Sequence, residues 1–453
     1  MRHNWLKNES STIIGRRKLL VAAGTAVTVS RAEPELAISG GAPVRTKPLK
    51  ADFWGPQYYD EKEQQQIADV FTTRRPFRWY GPGKEPPMKV ATFEKEFAAR
   101  IQTRYALAVT SGTAALQCAM AALQIGPGDE VILPAWTWHS CYNAIVLAGA
   151  LPVFAEIDES FNIDPADIES KITPQTKAIL VVHLLGSPAD LDRILPMARK
   201  HNLRVIEDCA QSQGASYKGR PVGSMGDIGI HSLQINKTIT SGEGGAVTTN
   251  DPLLFERASR FHDLGGLRPL HEKVAGGQHL DFFPGANFRM SEFTGAVLLA
   301  QLRKLDLIVH DVRTNARRVY DGIGDLTGLY PRRVPDPAGE LGSGIYLGFK
   351  SKELRDRYIA AMKAENVPAG PPSGSVLLPT QPHVENKRTL HPAWPSFNSQ
   401  RGRAVQYGAA CCPRTIDVLN RFAGVALDPK FSKRDIDDIV AAVRKVYPVV
   451  FKV

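Results

Sequence analysis

The residues of this sequence best suited to chemistry lie in four short stretches. In "SLQINKTITSGEGG" (232–245), Lys237 stands five residues after Ser232 and just before a glycine cluster. Such a lysine is a solvated cation, a phosphate ligand, or an amine for covalent attack on a carbonyl. "IEDCAQSQGA" (206–215) ends an apolar run with Glu207, Asp208 and Gln211, carboxylates and an amide that could hold a cationic or polar ring. "PAWTWHS" (134–140) places Trp136 and Trp138 just past another apolar run, where an indole could stack on a flat ligand. "TSGTAAL" (110–116) sets Gly112 and Thr113 at a helix start, whose free N–H groups and dipole suit a phosphate. A nucleotide-binding P-loop is excluded, because Lys237 precedes its glycines and no GxxxxGK[ST] pattern occurs.

Taken singly, each stretch has an ordinary explanation: a helix cap, a packed tryptophan, a turn carboxylate, a surface lysine. Together they supply an amine, a carboxylate, an aromatic face and a phosphate cup, the four requirements of pyridoxal phosphate.

The elements that must position these groups alternate along the chain. Phe93, Phe97 and Ile101 recur every fourth residue and mark a helix face, and "TAALQCAMAALQ" predicts a second helix. "VILP", "LPVFAEID", "AILVVHLLG", "LRVIEDC", "DIGIHSL" and "GGAVTTN" read as strands, most of them separated by helices such as "PADIESKI" and "PADLDRILPMARKH". Strands apolar on both faces and separated by helices imply an α/β fold with a mostly parallel sheet covered on both sides. Ligands of such sheets collect beyond the carboxyl ends of the strands, where all four stretches fall. Residues 33–88 read as an arm lying on a larger body, with one helix in "DEKEQQQIADVFTT". A large domain is expected over 89–310, including a long helical segment after Met290, and a smaller α+β domain over 311–453.

Composition narrows the partners. The 453 residues are 43% hydrophobic and 23% charged, as in a globular protein. Arg2, Lys7, Arg16, Arg17, Lys18 and Arg31, against Glu9 alone, supply half of the formal net charge of +10 within residues 1–32. The rest carries no long basic block, which argues against nucleic acid as a partner. Paired Arg16 and Arg17, the apolar run Leu19–Val29 and the small residues Ser30 and Ala32 have the order of a twin-arginine export signal, so a periplasmic protein is expected; the alternative is a basic tail on a cytoplasmic protein. That run is too short for a permanent membrane span. Cys118, Cys141, Cys209, Cys411 and Cys412 show no metal-ligand spacing and read as buried free thiols, with no metal expected.

The ordered set of motifs, from "GGAPVRTKP" (40–48) through the four stretches and "GANFRMSEFTGA" (285–296) to "CPRTIDVLNRFAGVALDP", resembles the DegT/DnrJ/EryC1/StrS aminotransferases, fold-type I pyridoxal-phosphate enzymes. The opening motif and "SLQINK" are most similar to the branch of scyllo-inosose aminotransferases and aminohydroxybenzoate synthases. The resemblance implies Lys237 as the Schiff-base lysine and Asp208 as the partner of the pyridine nitrogen. It implies Gln211 near the ring hydroxyl, Trp138 rather than Trp136 on the ring face, and Gly112, Thr113 and Ser232 at the phosphate. Asn287 matches a residue that reaches the phosphate of the neighbouring subunit in a homodimer. Transfer of an amino group from glutamate or glutamine to a keto-sugar or keto-cyclitol is the implied activity. Dehydration or aromatisation of a cyclic keto substrate, or a regulatory role with little turnover, are the alternatives; relatives with histidine at the Lys237 position are dehydratases, and this chain keeps lysine. Leu233 departs from the phenylalanine that many relatives carry there.

Overall fold

Seven short, almost wholly buried runs form the central sheet: β1 (Tyr105–Val109), β2 (Glu130–Pro134), β3 (Leu151–Ala155), β4 (Thr176–Val182), β5 (Arg204–Asp208), β6 (Ile228–Ser232) and β7 (Gly245–Thr249). The computed structural model describes residues 35–83 and 88–451, so the export signal expected at 1–32 lies outside the described residues. The strands run in the order β1-β7-β6-β5-β4-β2-β3. Pairs from β3 to β6 are parallel, whereas β7 is antiparallel to both β6 and β1. The exception has a local cause. Parallel neighbours need a long crossover, usually helical, and the 233–244 connection contains no helix, so the chain turns back on itself.

Alternation along the strands sends side chains to two different packing layers. Val131 and Leu133 join one cluster with Leu116 and Phe255, while Ile132 between them joins another with Ile168, Ile179 and Ile194. The predicted helices appear over Lys89–Ile101, Gly112–Ala122, Pro165–Lys171 and Leu191–Lys200, the last starting a few residues later than its apolar pattern suggested. Phe93, Phe97 and Ile101 are buried as their spacing requires.

The helical segment after Met290 is two helices, Glu292–Leu302 and Leu305–Ile323, and the second runs through residue 310, where the domain boundary was expected. Beyond it, Tyr330–Pro331, Gly344–Gly348, Phe422–Ala426 and Ala369–Gly370 make a small antiparallel sheet, packed against the helices Leu305–Ile323 and Lys352–Ala364, on which the helix Lys433–Phe451 lies in turn. The arm lies on this smaller part of its own chain. Glu365 accepts the N–H groups of Ala37 and Val44, Arg45 pairs with Asp435 and Asp438, and Trp54 Nε1 donates to the Leu427 carbonyl at 3.2 Å. The arm's helix, Glu61–Thr73, begins with a reciprocal cap between Asp60 and Glu63.

Candidate active site

A cavity of about 550 Å³ opens where β4, β5 and β6 end, with Val182, Asp208 and Ser232 at its edge. Lys237 enters it from the loop between β6 and β7. The loop is pinned by its own backbone: Leu233 N donates to Gly244 O at 2.8 Å, and Lys237 N to Gln234 O at 2.9 Å. Among the described residues Lys237 Nζ has no hydrogen-bond or ion-pair partner. Burial lowers its pKa, against the opposing charges of Asp208 and Glu243. Partial burial thus moves the amine towards the neutral form that attacks carbonyl carbon.

Asp208, the last residue of β5, is 3% exposed. Its Oδ1 accepts Ala210 N at 2.9 Å and its Oδ2 accepts the Cys141 thiol at 3.2 Å. Burial raises its pKa, while these donors, Lys237 and His183 hold it down. Adjacent Glu207 points the other way, as neighbours in a strand must. It accepts N–H groups from Gly223, Met225 and Gly226 and meets His183 Nε2 at 3.1 Å, so it anchors a loop and takes no part in the cavity.

The anion cup is built by the turn from β1 into the Gly112–Ala122 helix. Ser111 Oγ caps that helix by accepting Ala114 N at 3.0 Å. A Cβ on Gly112 would come within 2.6 Å of Ser232 Cβ, so glycine is what lets the helix start and the end of β6 meet. Thr113 Oγ1 lies 2.7 Å from Ser140 Oγ, and both line the cavity beside Ser232. Unpaired helix N–H groups beside three hydroxyls make a site for a phosphate.

Of the two tryptophans, Trp136 is 2% exposed and packs edge-on to Phe161, while Trp138 is 54% exposed and lines the cavity. Gln211 also lines it, but its side chain is engaged: Oε1 accepts Leu185 N at 3.1 Å, and Nε2 donates to Gly374 O at 3.0 Å and Ser375 Oγ at 3.1 Å. The first of these bonds holds Leu185 in the left-handed region, at φ 51°, a strained conformation of the kind that gathers at functional sites. Asn287 is not brought to the cavity of its own chain; it is exposed and bridged to Asp263.

Several lining residues were not named from the sequence, among them Thr137, Ser140, Cys141, Gln213 and Glu243. Ser140 and Cys141 stand two and three residues after Trp138, in the first turn of the His139–Leu147 helix, a proximity that could have flagged them. Substrate specificity is expected from the sequence in the 53–88 arm and the 370–400 loops; of these, Trp54 and Gly374 line the cavity, whereas Trp394 donates to Val146 O at 2.6 Å. Four cysteines are buried as expected and Cys411 is half-buried. No cluster of metal-ligating side chains occurs among the described residues.

Residues 60–444 match the DegT/DnrJ/EryC1/StrS aminotransferase family. The chain belongs to it. It is 33% identical over 372 residues, 79% of this chain and 84% of the other, to the L-glutamine:2-deoxy-scyllo-inosose aminotransferase of Micromonospora echinospora. It is 44% identical to the GDP-perosamine synthase of Escherichia coli O157:H7 over 218 residues, 48% of this chain and 58% of the other. The solved aminotransferase of Psychrobacter cryohalolentis superposes with a TM-score of 0.72 at 30% identity, covering 88% of this chain and 100% of that one. The protein is a pyridoxal-phosphate-dependent aminotransferase. Its own residues fit that cofactor: an unpaired, partly buried amine, a buried carboxylate, an exposed indole and an anion cup surround one cavity large enough to hold it.

Proposed function

We propose that this aminotransferase carries an amino group from glutamate or glutamine to a keto-sugar or keto-cyclitol of the scyllo-inosose kind. The observation that carries the reading is the unpaired Lys237 amine beside Asp208 and the anion cup, in a chain similar over about four fifths of its length to a cyclitol aminotransferase.

Bound pyridoxal phosphate supplies an electron sink that allows the donor's Cα–H bond to break. The chain's residues do the rest. Gly112, Thr113 and Ser232 hold the phosphate, and Trp138 offers a face for the ring. Asp208 presents a carboxylate to the ring nitrogen and keeps its proton there. Lys237 Nζ holds the cofactor covalently. As a free amine it would be placed to take the donor Cα proton as general base and to return a proton as general acid. In the second half-reaction Lys237 works in the opposite sense on the keto substrate. Trp54, Leu185, Leu341 and Ser343, from the arm, the β4 end and the smaller part, line the same cavity and are available to that substrate.

A homodimer is part of this reading. Asn287 is exposed, and the apolar residues Phe71, Tyr80, Leu264 and Phe282 are exposed on the arm helix and the loops around it. A second copy covering them would carry Asn287 towards the neighbouring phosphate cup, by the family resemblance. The Arg16–Arg17 segment supports export through the twin-arginine route, tested by N-terminal sequencing of protein recovered from the periplasm.

Borohydride trapping tests the centre of the proposal. Wild-type protein should fix one cofactor on the peptide containing Lys237, and Lys237→Ala should fix none. Incubation with L-glutamine or L-glutamate and then scyllo-inosose or a keto-sugar should yield an amino product; its absence with every such acceptor refutes the assigned substrate class.

A further inference from the structure

Cys141 is a wholly buried thiol in the cavity lining that no step above uses. It sits in the first turn of the His139–Leu147 helix, whose N-cap is Trp138. Its Sγ lies 3.2 Å from Asp208 Oδ2, across 67 residues of sequence, and 3.5 Å from Thr137 Oγ1. Asp208 Oδ1 is occupied by Ala210 N–H. The carboxylate therefore has one donor on each oxygen, a backbone amide from its own strand end and a thiol from a different element. The titratable groups facing it from the neighbouring elements are Lys237, from the loop after β6, and His183, from the end of β4.

The chemistry assigns the direction of this bond. Burial and the negative charge of Asp208 both oppose a thiolate, so Cys141 keeps its proton and donates it. Thr137, one turn before Cys141, is placed to donate to the sulfur in turn. The turn that presents Trp138 to the cavity thus also holds Asp208.

We propose that Cys141 is a positioning residue for Asp208, its S–H fixing Oδ2 and keeping the carboxylate ionised and aimed at the cofactor's ring nitrogen. The inference rests on the assigned cofactor but not on the assigned substrates, so its test contains no substrate. It has a physical consequence at acid pH. A carboxylate without its thiol donor takes up a proton more readily, and a protonated Asp208 no longer favours a protonated ring nitrogen.

The experiment compares wild type, Cys141→Ala and Cys141→Ser as apoproteins titrated with pyridoxal phosphate. Cofactor affinity is read by quenching of tryptophan fluorescence across a pH series, with thermal melts alongside. Cys141→Ala is expected to bind about 10-fold more weakly, the size of one lost hydrogen bond to a charged group. The acid limb of its binding curve should move to higher pH. Cys141→Ser, which keeps an O–H donor, should restore both affinity and pH profile to within about 2-fold of wild type. Unchanged affinity and acid limb in Cys141→Ala would overturn the proposal. So would equal losses in both variants that follow their melting temperatures, because packing alone would then account for them. If Cys141→Ala does not fold, Cys141→Val supplies the variant without a donor and is judged by the same two readouts.

Discussion

Replacing Gly112 by alanine tests whether the anion cup depends on a single close approach. The added Cβ would lie 2.6 Å from Ser232 Cβ and 3.1 Å from Ser232 Oγ. Carbon atoms in contact prefer about 3.5–4.0 Å, so one side must retreat by about 1 Å. The Gly112 side has little room. The Cβ position of Gly245 lies 2.3 Å from the Ser111 carbonyl and 2.8 Å from Gly112 N, so β7 already presses on the turn from behind. Ser232 is therefore the residue that moves, and its hydroxyl leaves the cup. Overpacking of this kind costs about 1–3 kcal/mol. Expressed wholly in cofactor binding, that is a loss of about 5- to 150-fold. Equilibrium dialysis of pyridoxal phosphate against Gly112→Ala and wild type reads the affinity, and a melt of each apoprotein reads the stability. Gly370→Ala, where nothing lies within 4 Å of the new Cβ, is the control. Affinity within about 2-fold of wild type in a folded Gly112→Ala protein would refute the reasoning.

Three further outcomes are expected. Glu207→Gln should destabilise the fold by about 2–4 kcal/mol in a denaturant titration, because it sets an amide against three backbone donors. Burial raises the Glu207 pKa, but His183 and those donors bring it below the ordinary value; its stabilisation is present above the unfolded pKa of about 4.3 and is lost as pH falls through the folded one. His231, whose pKa is pushed down to about 3 chiefly by burial, must charge on unfolding at acid pH. Its neutral form is therefore no penalty above pH ~6.5, and stability should fall by about 2 kcal/mol between pH 6.5 and 5 from this residue alone, a decline that melts of His231→Gln should show reduced. Trp54→Ala should raise KM for the keto substrate about 10-fold while leaving the half-reaction with the amino donor near its wild-type rate, separable by single-turnover absorbance measurements.

What the sequence makes legible follows from how local each feature is. The strands are readable because a strand covered on both faces must be largely apolar, as β4 is from Ala178 to Val182 and β2 from Val131 to Pro134. The choice of Trp138 over Trp136 came from resemblance, and its physical basis is the end of the extended run: Trp136 lies within the short strand Trp136–Thr137 and is sealed against Phe161, whereas Trp138 is the N-cap of the next helix and is exposed to the cavity. The antiparallel return of β7 was not legible, since both a loop of that length and a helix fit between two apolar runs. Nor was the division of labour in Glu207–Asp208, which needs the register of β5 against β6 to show which carboxylate faces the ligand.

Pairings between distant segments were the least accessible, and they set how the site works. Nothing around Cys141 announces that its thiol meets a carboxylate 67 residues later, because that contact exists only once β5 and the His139–Leu147 helix share a sheet end. Trp54 is similar: its indole reaches the cavity because the arm is fastened to the smaller part through Arg45, Glu365 and Leu427. Asn287 marks the opposite case. Its motif pointed to the phosphate cup, yet within one chain the residue faces solvent beside Asp263. A motif residue displaced from an otherwise assembled site is what a shared site between two copies predicts. Asn287→Ala should then weaken cofactor binding in the dimer, while a dilution series that separates the copies should erase the difference between variant and wild type. Equal weakening at every concentration would assign the effect to the turn within one chain, where Asn287 Oδ1 accepts Arg289 N.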